Sequence, residues 1–225
     1  KTGVRIPSIC FSGHRRYPFG SNDPVIEGKS LELMKKCIEL AQDLGVRTIQ
    51  LAGYDVYYEE KSPQTRQRFI KNLRKACDWA EEAQVVLAIE IMDDPFINSI
   101  EKYLAVEKEI DSPYLFVYPD IGNVSAWHND VYSEFYLGHH AIAALHLKDT
   151  YAVTESSKGQ FRDVPFGQGC VKWEEAFDIL KQTNYNGPFL IEMWSENCET
   201  VEETRAVIQE AQAFLYPLIK KAGLM

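Results

Sequence analysis

Five cysteines, Cys10, Cys37, Cys77, Cys170 and Cys198, are scattered along the chain, and none forms a CxxC pair. That spacing excludes a disulfide scaffold and a thiolate zinc site, and it fits reduced thiols in a cytosolic protein. No GxGxxG turn follows a strand, which argues against dinucleotide binding. No apolar run approaches the ~20 residues of a membrane span. The opening KTGVRIPSIC lacks the long apolar core of a signal peptide. Positive charge is in deficit: 24 Lys and Arg against 33 Asp and Glu leave a formal net charge of -9. That balance argues against a duplex DNA partner, because phosphate backbones are held by clustered cations. A small anionic substrate needs only a few local cations and stays possible.

Strand and helix patterns alternate through all 225 residues. Near-continuous apolar runs at Val4–Cys10, Arg47–Leu51, Val85–Ile91, Tyr114–Tyr118, Ala141–Leu147 and Pro188–Met193 predict parallel strands covered on both faces. Ser30 is placed to cap a helix with Met34, Cys37, Ile38, Ala41 and Leu44 on its apolar face, and Gly45 stops it. Ser62-Pro63 is an N-cap followed by a first-turn proline, with Phe69, Leu73, Cys77 and Ala80 as the buried stripe. Further helices are predicted after Ser99, near Asp130–Leu137, around Trp173–Leu180, and from about Thr200 to Lys221 with a bend at Pro217. Residues 148–171 read as a long structureless loop, the kind that is often functional.

Six strand–helix units predict an α/β protein, and a closed (β/α)8 barrel needs eight. Two more units would be about 60 residues at about 30 each. The expectation is therefore one barrel domain over 1–225, a TIM barrel lacking its first two βα units. An open doubly wound sheet is the structural competitor.

The chemistry sits where the last four strands end. Val85–Ile89 runs into Glu90, Leu115–Pro119 into Asp120, Ile142–Leu145 into His146, and Phe189–Ile191 into Glu192. Barrel active sites lie at the carboxyl ends of the strands, so these four side chains can converge. A lone Glu after a strand is usually a surface or capping residue, and a lone His is usually structural. Four in phase on successive strands point instead to one divalent ion held by Glu90, Asp120, His146 and Glu192. Three carboxylates and an imidazole suit Mn²⁺, Mg²⁺, Zn²⁺ or Co²⁺. Lys148 shares the strand face of His146. His14, Arg15 and Arg16 follow the first strand, Lys158 and Arg162 lie in the long loop, and Tyr54, Trp127 and Trp194 are placed to wall a pocket. Each of these cations taken singly could equally be a solvated surface charge.

The stretches SGHRRYPFGS, IQLAGYDVYYEE, AIEIMD, YPDIGNVSAW, HLKDT, DVPFGQG and GPFLIEMWSE closely resemble the L-ribulose-5-phosphate 3-epimerase family over nearly the whole chain. That family includes the L-xylulose-5-phosphate 3-epimerase of bacterial ascorbate breakdown and belongs to the xylose-isomerase-like barrels. The resemblance implies the same four metal ligands, with Glu90 and Glu192 as the acid/base pair. It also implies a small sugar phosphate substrate and a homodimer. Ketose 3-epimerases of free sugars often carry an arginine six residues after the metal histidine, where this chain has Ala152. They often carry a histidine three residues after the metal aspartate, where it has Asn123. Lys148, Asn123, His14 and Arg162 are the candidate substrate-binding residues. The competing functions are an aldose–ketose isomerase acting on a hexulose phosphate, a metal-dependent nuclease, which the charge opposes, and a non-catalytic sugar-binding protein.

Overall fold

A computed structural model describes residues 3–225. The chain forms two compact units: one holds the residues up to Ile97 with Glu101–Tyr118, the other Asn98–Ile100 with Pro119–Met225.

In the first unit, β1 (Ile9–Cys10), β2 (Thr48–Ala52), β3 (Val86–Glu90) and β4 (Leu115–Tyr118) form a parallel sheet in that order. The crossovers carry α1 (Pro24–Leu44), α2 (Pro63–Ala83) and α3 (Ile100–Ile110). Ile49, Leu51, Leu87 and Ile89 are essentially unexposed, as expected of parallel strands covered on both faces. Glu90 pairs with Ala52 and Tyr118 and so stands at the carboxyl end of three strands.

The helix boundaries follow cap chemistry. Asp23 caps α1 by accepting from the Val25 N–H at 2.7 Å, with Pro24 in the first turn. The helix thus starts well before Ser30, which lies inside it and donates its hydroxyl to the Glu27 carbonyl at 2.8 Å. The expected Ser30 cap is corrected because an Asp-Pro pair upstream satisfies the free N–H groups first. Gly45 ends α1 in the left-handed region at φ 68°, as read from the sequence. Ser62 and Thr65 form a reciprocal capping box at the start of α2, and Phe69, Leu73, Cys77 and Ala80 are buried along it.

The second unit contains α4 (Ile121–Ala126), α5 (Val131–Gly138), β5 (Leu145–Leu147), β6 (Asp149–Tyr151), β7 (Gln160–Val164), α6 (Trp173–Gln182), β8 (Phe189–Ile191) and α7 (Val201–Ala222). β5 and β8 pair in parallel, and β6 and β7 form an antiparallel hairpin. That hairpin corrects the structureless reading of residues 148–171. Phe177, Leu180, Leu215 and Ile219 are buried where α6 meets α7. Burial of such a side chain contributes roughly 1.5–3 kcal/mol.

Several strands are shorter than their apolar runs. Pro7 has no N–H to give a ladder, and the first strand shrinks to Ile9–Cys10, leaving Val4 and Ile6 exposed. A 3₁₀ turn at His139–Ala141 delays β5 to Leu145. Among the described residues no helix is long and apolar enough to cross a membrane.

Ser62→Ala removes one half of the α2 capping box. It should lower the unfolding free energy by about 1 kcal/mol, seen as a lower urea midpoint at unchanged slope.

Candidate metal centre

Asp120 follows β4 and Pro119 and caps α4, its Oδ1 accepting from the Asn123 N–H at 2.9 Å. That bond commits one oxygen to the helix. His146, in the middle of β5, donates its backbone N–H to the Pro119 carbonyl at 3.0 Å and bridges to Asp120. Glu192 follows β8 and donates its N–H to the Leu147 carbonyl at 3.0 Å. Backbone pairing therefore sets three strand ends side by side. Asp120, His146 and Glu192 each present one ligand atom, all within 4.8 Å of one another.

Lys148 joins them, two residues beyond His146 and 6% exposed. Its Nζ lies 2.9 Å from both Asp120 Oδ2 and Glu192 Oε2. These are ion pairs by distance, yet neither oxygen receives a hydrogen bond of acceptable angle. His146 Nδ1 is 3.8 Å from Asp120 Oδ2 and 3.5 Å from Glu192 Oε2. Two buried carboxylate oxygens beside an imidazole nitrogen are a donor set that suits a divalent cation. The cluster could bind such an ion.

The electrostatics agree. Burial pushes the Asp120 carboxyl well above its usual range; Lys148 opposes this and the nearby Glu192 charge adds to it. Burial also raises Glu192, which is less deeply enclosed, but the adjoining Asp120 carboxyl, the Lys148 ammonium and the nearby imidazole outweigh it and hold the group low. Two adjacent buried carboxylates cannot both stay ionised without positive charge between them.

The other candidates are placed as follows. Asn123 is buried in α4 directly behind Asp120. The Arg162 guanidinium lies 4.8 Å and Lys148 Nζ 5.4 Å from the centre of the Trp194 ring. Lys148, Glu192 and Trp194 line a cavity of about 440 Å³ whose other walls include Pro165, Phe166, Gln168 and Phe214. Glu90 belongs to the first unit, where Gln50 Nε2 donates to its Oε2 at 2.7 Å. Gln50 was missed at the sequence level, although a glutamine inside the apolar strand TIQLA was the available signal.

His14 also belongs to the first unit. It is fully buried among Phe11, Phe19, Tyr54 and Phe69. The ring packs in an aromatic cage beside the strand it follows. The Phe19 N–H donates to Nε2 at 3.4 Å, and that bond assigns the proton of the neutral ring to Nδ1. Trp127 packs on Phe161, and Tyr54 accepts from Arg15 Nε at 3.4 Å.

The match to known proteins follows this geometry. A family model described as a xylose isomerase-like TIM barrel matches residues 1–218. UlaE of Escherichia coli O157:H7, an L-ribulose-5-phosphate 3-epimerase, is 48% identical over 225 residues, covering 100% of this chain and 76% of its own. The chain belongs to the L-ribulose-5-phosphate 3-epimerase family. It is an enzyme of the isomerase class, and its α/β fold is that of the TIM-barrel epimerases. SgbU of Haemophilus influenzae, whose assignment to the same activity is itself provisional, is 52% identical over 100% of this chain and 78% of its own. Among solved structures, a xylose isomerase domain protein from Planctomyces limnophilus superposes with a TM-score of 0.77 at 20% identity, over 99% of this chain and 79% of that one. An L-ribulose 3-epimerase superposes with a TM-score of 0.74 at 18% identity, over 92% of this chain and 73% of that one. At such identities the likeness concerns the fold.

Burial lowers the His14 pKa from 6.5 to about 4. Its folded value lies below its unfolded value, so the unfolded chain takes up the proton first on acidification. The neutral ring's contribution is complete above pH 6.5, falls as pH drops, and is gone below about 4. His14→Phe should therefore reduce the stability lost between neutral and acid pH by about 3 kcal/mol, measured by urea unfolding across that range.

Proposed function

We propose that this chain is a metal-dependent 3-epimerase of a ketopentose 5-phosphate, interconverting L-xylulose 5-phosphate and L-ribulose 5-phosphate. The observation that carries the reading is the group of Asp120, His146 and Glu192 around Lys148, two carboxylate oxygens and an imidazole close enough to share one ion. We assign Glu90 as the fourth ligand, on the grounds that it ends its strand as the other three do and that Gln50 orients its carboxylate.

Epimerisation removes the C3 proton beside the C2 carbonyl and returns a proton to the other face. A divalent ion, Mn²⁺, Mg²⁺, Zn²⁺ or Co²⁺, would supply Lewis acidity toward O2 and O3 and lower the cost of the enediolate. Glu90 and Glu192 are the acid/base pair, one taking the C3 proton and the other delivering a proton to the opposite face, with roles exchanged in the reverse direction. Asp120 and His146 serve as ligands only. Lys148 is placed beside Glu192 to donate to a sugar oxygen, and its charge favours the anionic intermediate. Asn123 and Arg162 are assigned to the substrate, Arg162 through the Trp194 wall of the cavity. The reading extends to a cytoplasmic homodimer with neither nucleic acid nor membrane as partner.

Glu90→Gln and Glu192→Gln should each abolish turnover of L-xylulose 5-phosphate while the protein stays folded, and a chelator should do the same reversibly. In deuterium oxide the wild type should place deuterium at C3, followed by NMR. Full activity in either variant refutes the two-carboxylate scheme. An aldose product in place of a second ketose makes the enzyme an aldose–ketose isomerase.

A further inference from the structure

Asp149 is 1% exposed and takes no part in the chemistry above. Its carboxylate accepts from five N–H groups. Gly167, Gly169 and the Trp173 indole donate to Oδ2 at 2.8, 3.1 and 3.4 Å, and Thr150 and Val171 donate to Oδ1 at 3.0 and 3.3 Å. Four of the five come from residues 167–173, so one side chain gathers a whole turn around itself. An ionised carboxylate is acceptor-only with about four lone-pair sites, and this nest of dipoles suits it.

The turn is held as tightly from the other side. A Cβ on Gly169 would lie 2.0 Å from Asp149 Oδ1, and one on Gly167, at φ +82°, would lie 2.5 Å from the Phe214 ring. Phe166 packs against both Trp173 and Phe214. The turn is thus clamped between Asp149 and α7, and it presents Pro165, Phe166 and Gln168 to the cavity that Lys148 and Glu192 also line. Three consecutive residues tie this wall to the metal centre. Lys148 bridges Asp120 and Glu192, Asp149 holds the turn, and Thr150 donates its hydroxyl to the Gly122 carbonyl at 2.8 Å in the helix that Asp120 caps.

We propose that Asp149 is a positioning residue for the cavity: its buried carboxylate fixes residues 165–171 as the wall facing Lys148 and Glu192 and so sets the space a substrate enters. The catalytic meaning of that wall rests on the epimerase reading above. The same bonds have a chemical corollary. The N–H groups of Gly167, Gly169 and Val171 are spent on Asp149, so a substrate finds none of these three amides free.

Asp149→Asn keeps the size but must aim an NH₂ group at two or three of the five donors. Backbone amide exchange at Gly167, Gly169 and Val171 should quicken by about a hundredfold. KM for the ketopentose 5-phosphate should rise about tenfold while kcat falls by less than about threefold. Gly167→Ala, whose Cβ meets the Phe214 ring and not Asp149, displaces the turn without touching the carboxylate and should reproduce the rise in KM; it decides the matter if Asp149→Asn does not fold. Unchanged amide exchange overturns the proposal. So does faster exchange with wild-type KM and kcat, or a fall in kcat at unchanged KM. If the wild type turns over no ketopentose phosphate, the epimerase reading fails by itself, and the exchange measurement still upholds or overturns the wall.

Discussion

Two carboxylates buried side by side demand positive charge, and much of the second unit is arranged around that demand. Asp120 and Glu192 are brought together by backbone ladders that have nothing to do with their charge: the Asp120–His146 bridge and the pairing of β5 with β8. The ladders place the oxygens, and the electrostatics then require an occupant. Lys148 meets part of the requirement from the same strand that carries His146. Its ammonium carries a single charge and makes no well-angled hydrogen bond to either oxygen, which leaves scope for a divalent ion. Stability and catalysis pull in opposite directions at such a point, since the uncompensated pair weakens the fold while the compensated pair is the working site.

What surrounds the proposed ligands serves to hold them still. Gln50 grips Glu90, and the first turn of α4 grips Asp120. Such partners fix the orientation of a ligand and tune its basicity. The cations at the cavity are steadied by Trp194, whose ring lies near both Lys148 and Arg162. An indole face near cations lowers the cost of keeping them close without neutralising them.

The sequence made the strand ends readable because an apolar run closing on Glu, Asp or His is a local pattern. Asp120, His146 and Glu192 needed no tertiary knowledge to be singled out, and neither did the caps at Ser62 and Gly45. The start of α1 was misread because Ser30 and Asp23 are both competent caps, and only the helix that forms decides between them. The hairpin of β6 and β7 was invisible because Gln160–Val164 is largely exposed and polar, with no apolar alternation to mark it. The work of Asp149 was hidden for a different reason. Its donors lie up to 24 residues further along the chain, and four of the five are backbone groups or glycines that carry no side-chain signal. The burial of His14 had no local signal either, because the aromatic residues that enclose it come from three separate segments.

Asp120 has one further consequence. Because Oδ1 already takes a hydrogen bond from the first turn of α4, Oδ2 is the oxygen this aspartate turns toward His146 and Glu192. One side chain thus both starts a helix and faces the cluster, so a shift in where that helix begins would also move an oxygen of the site.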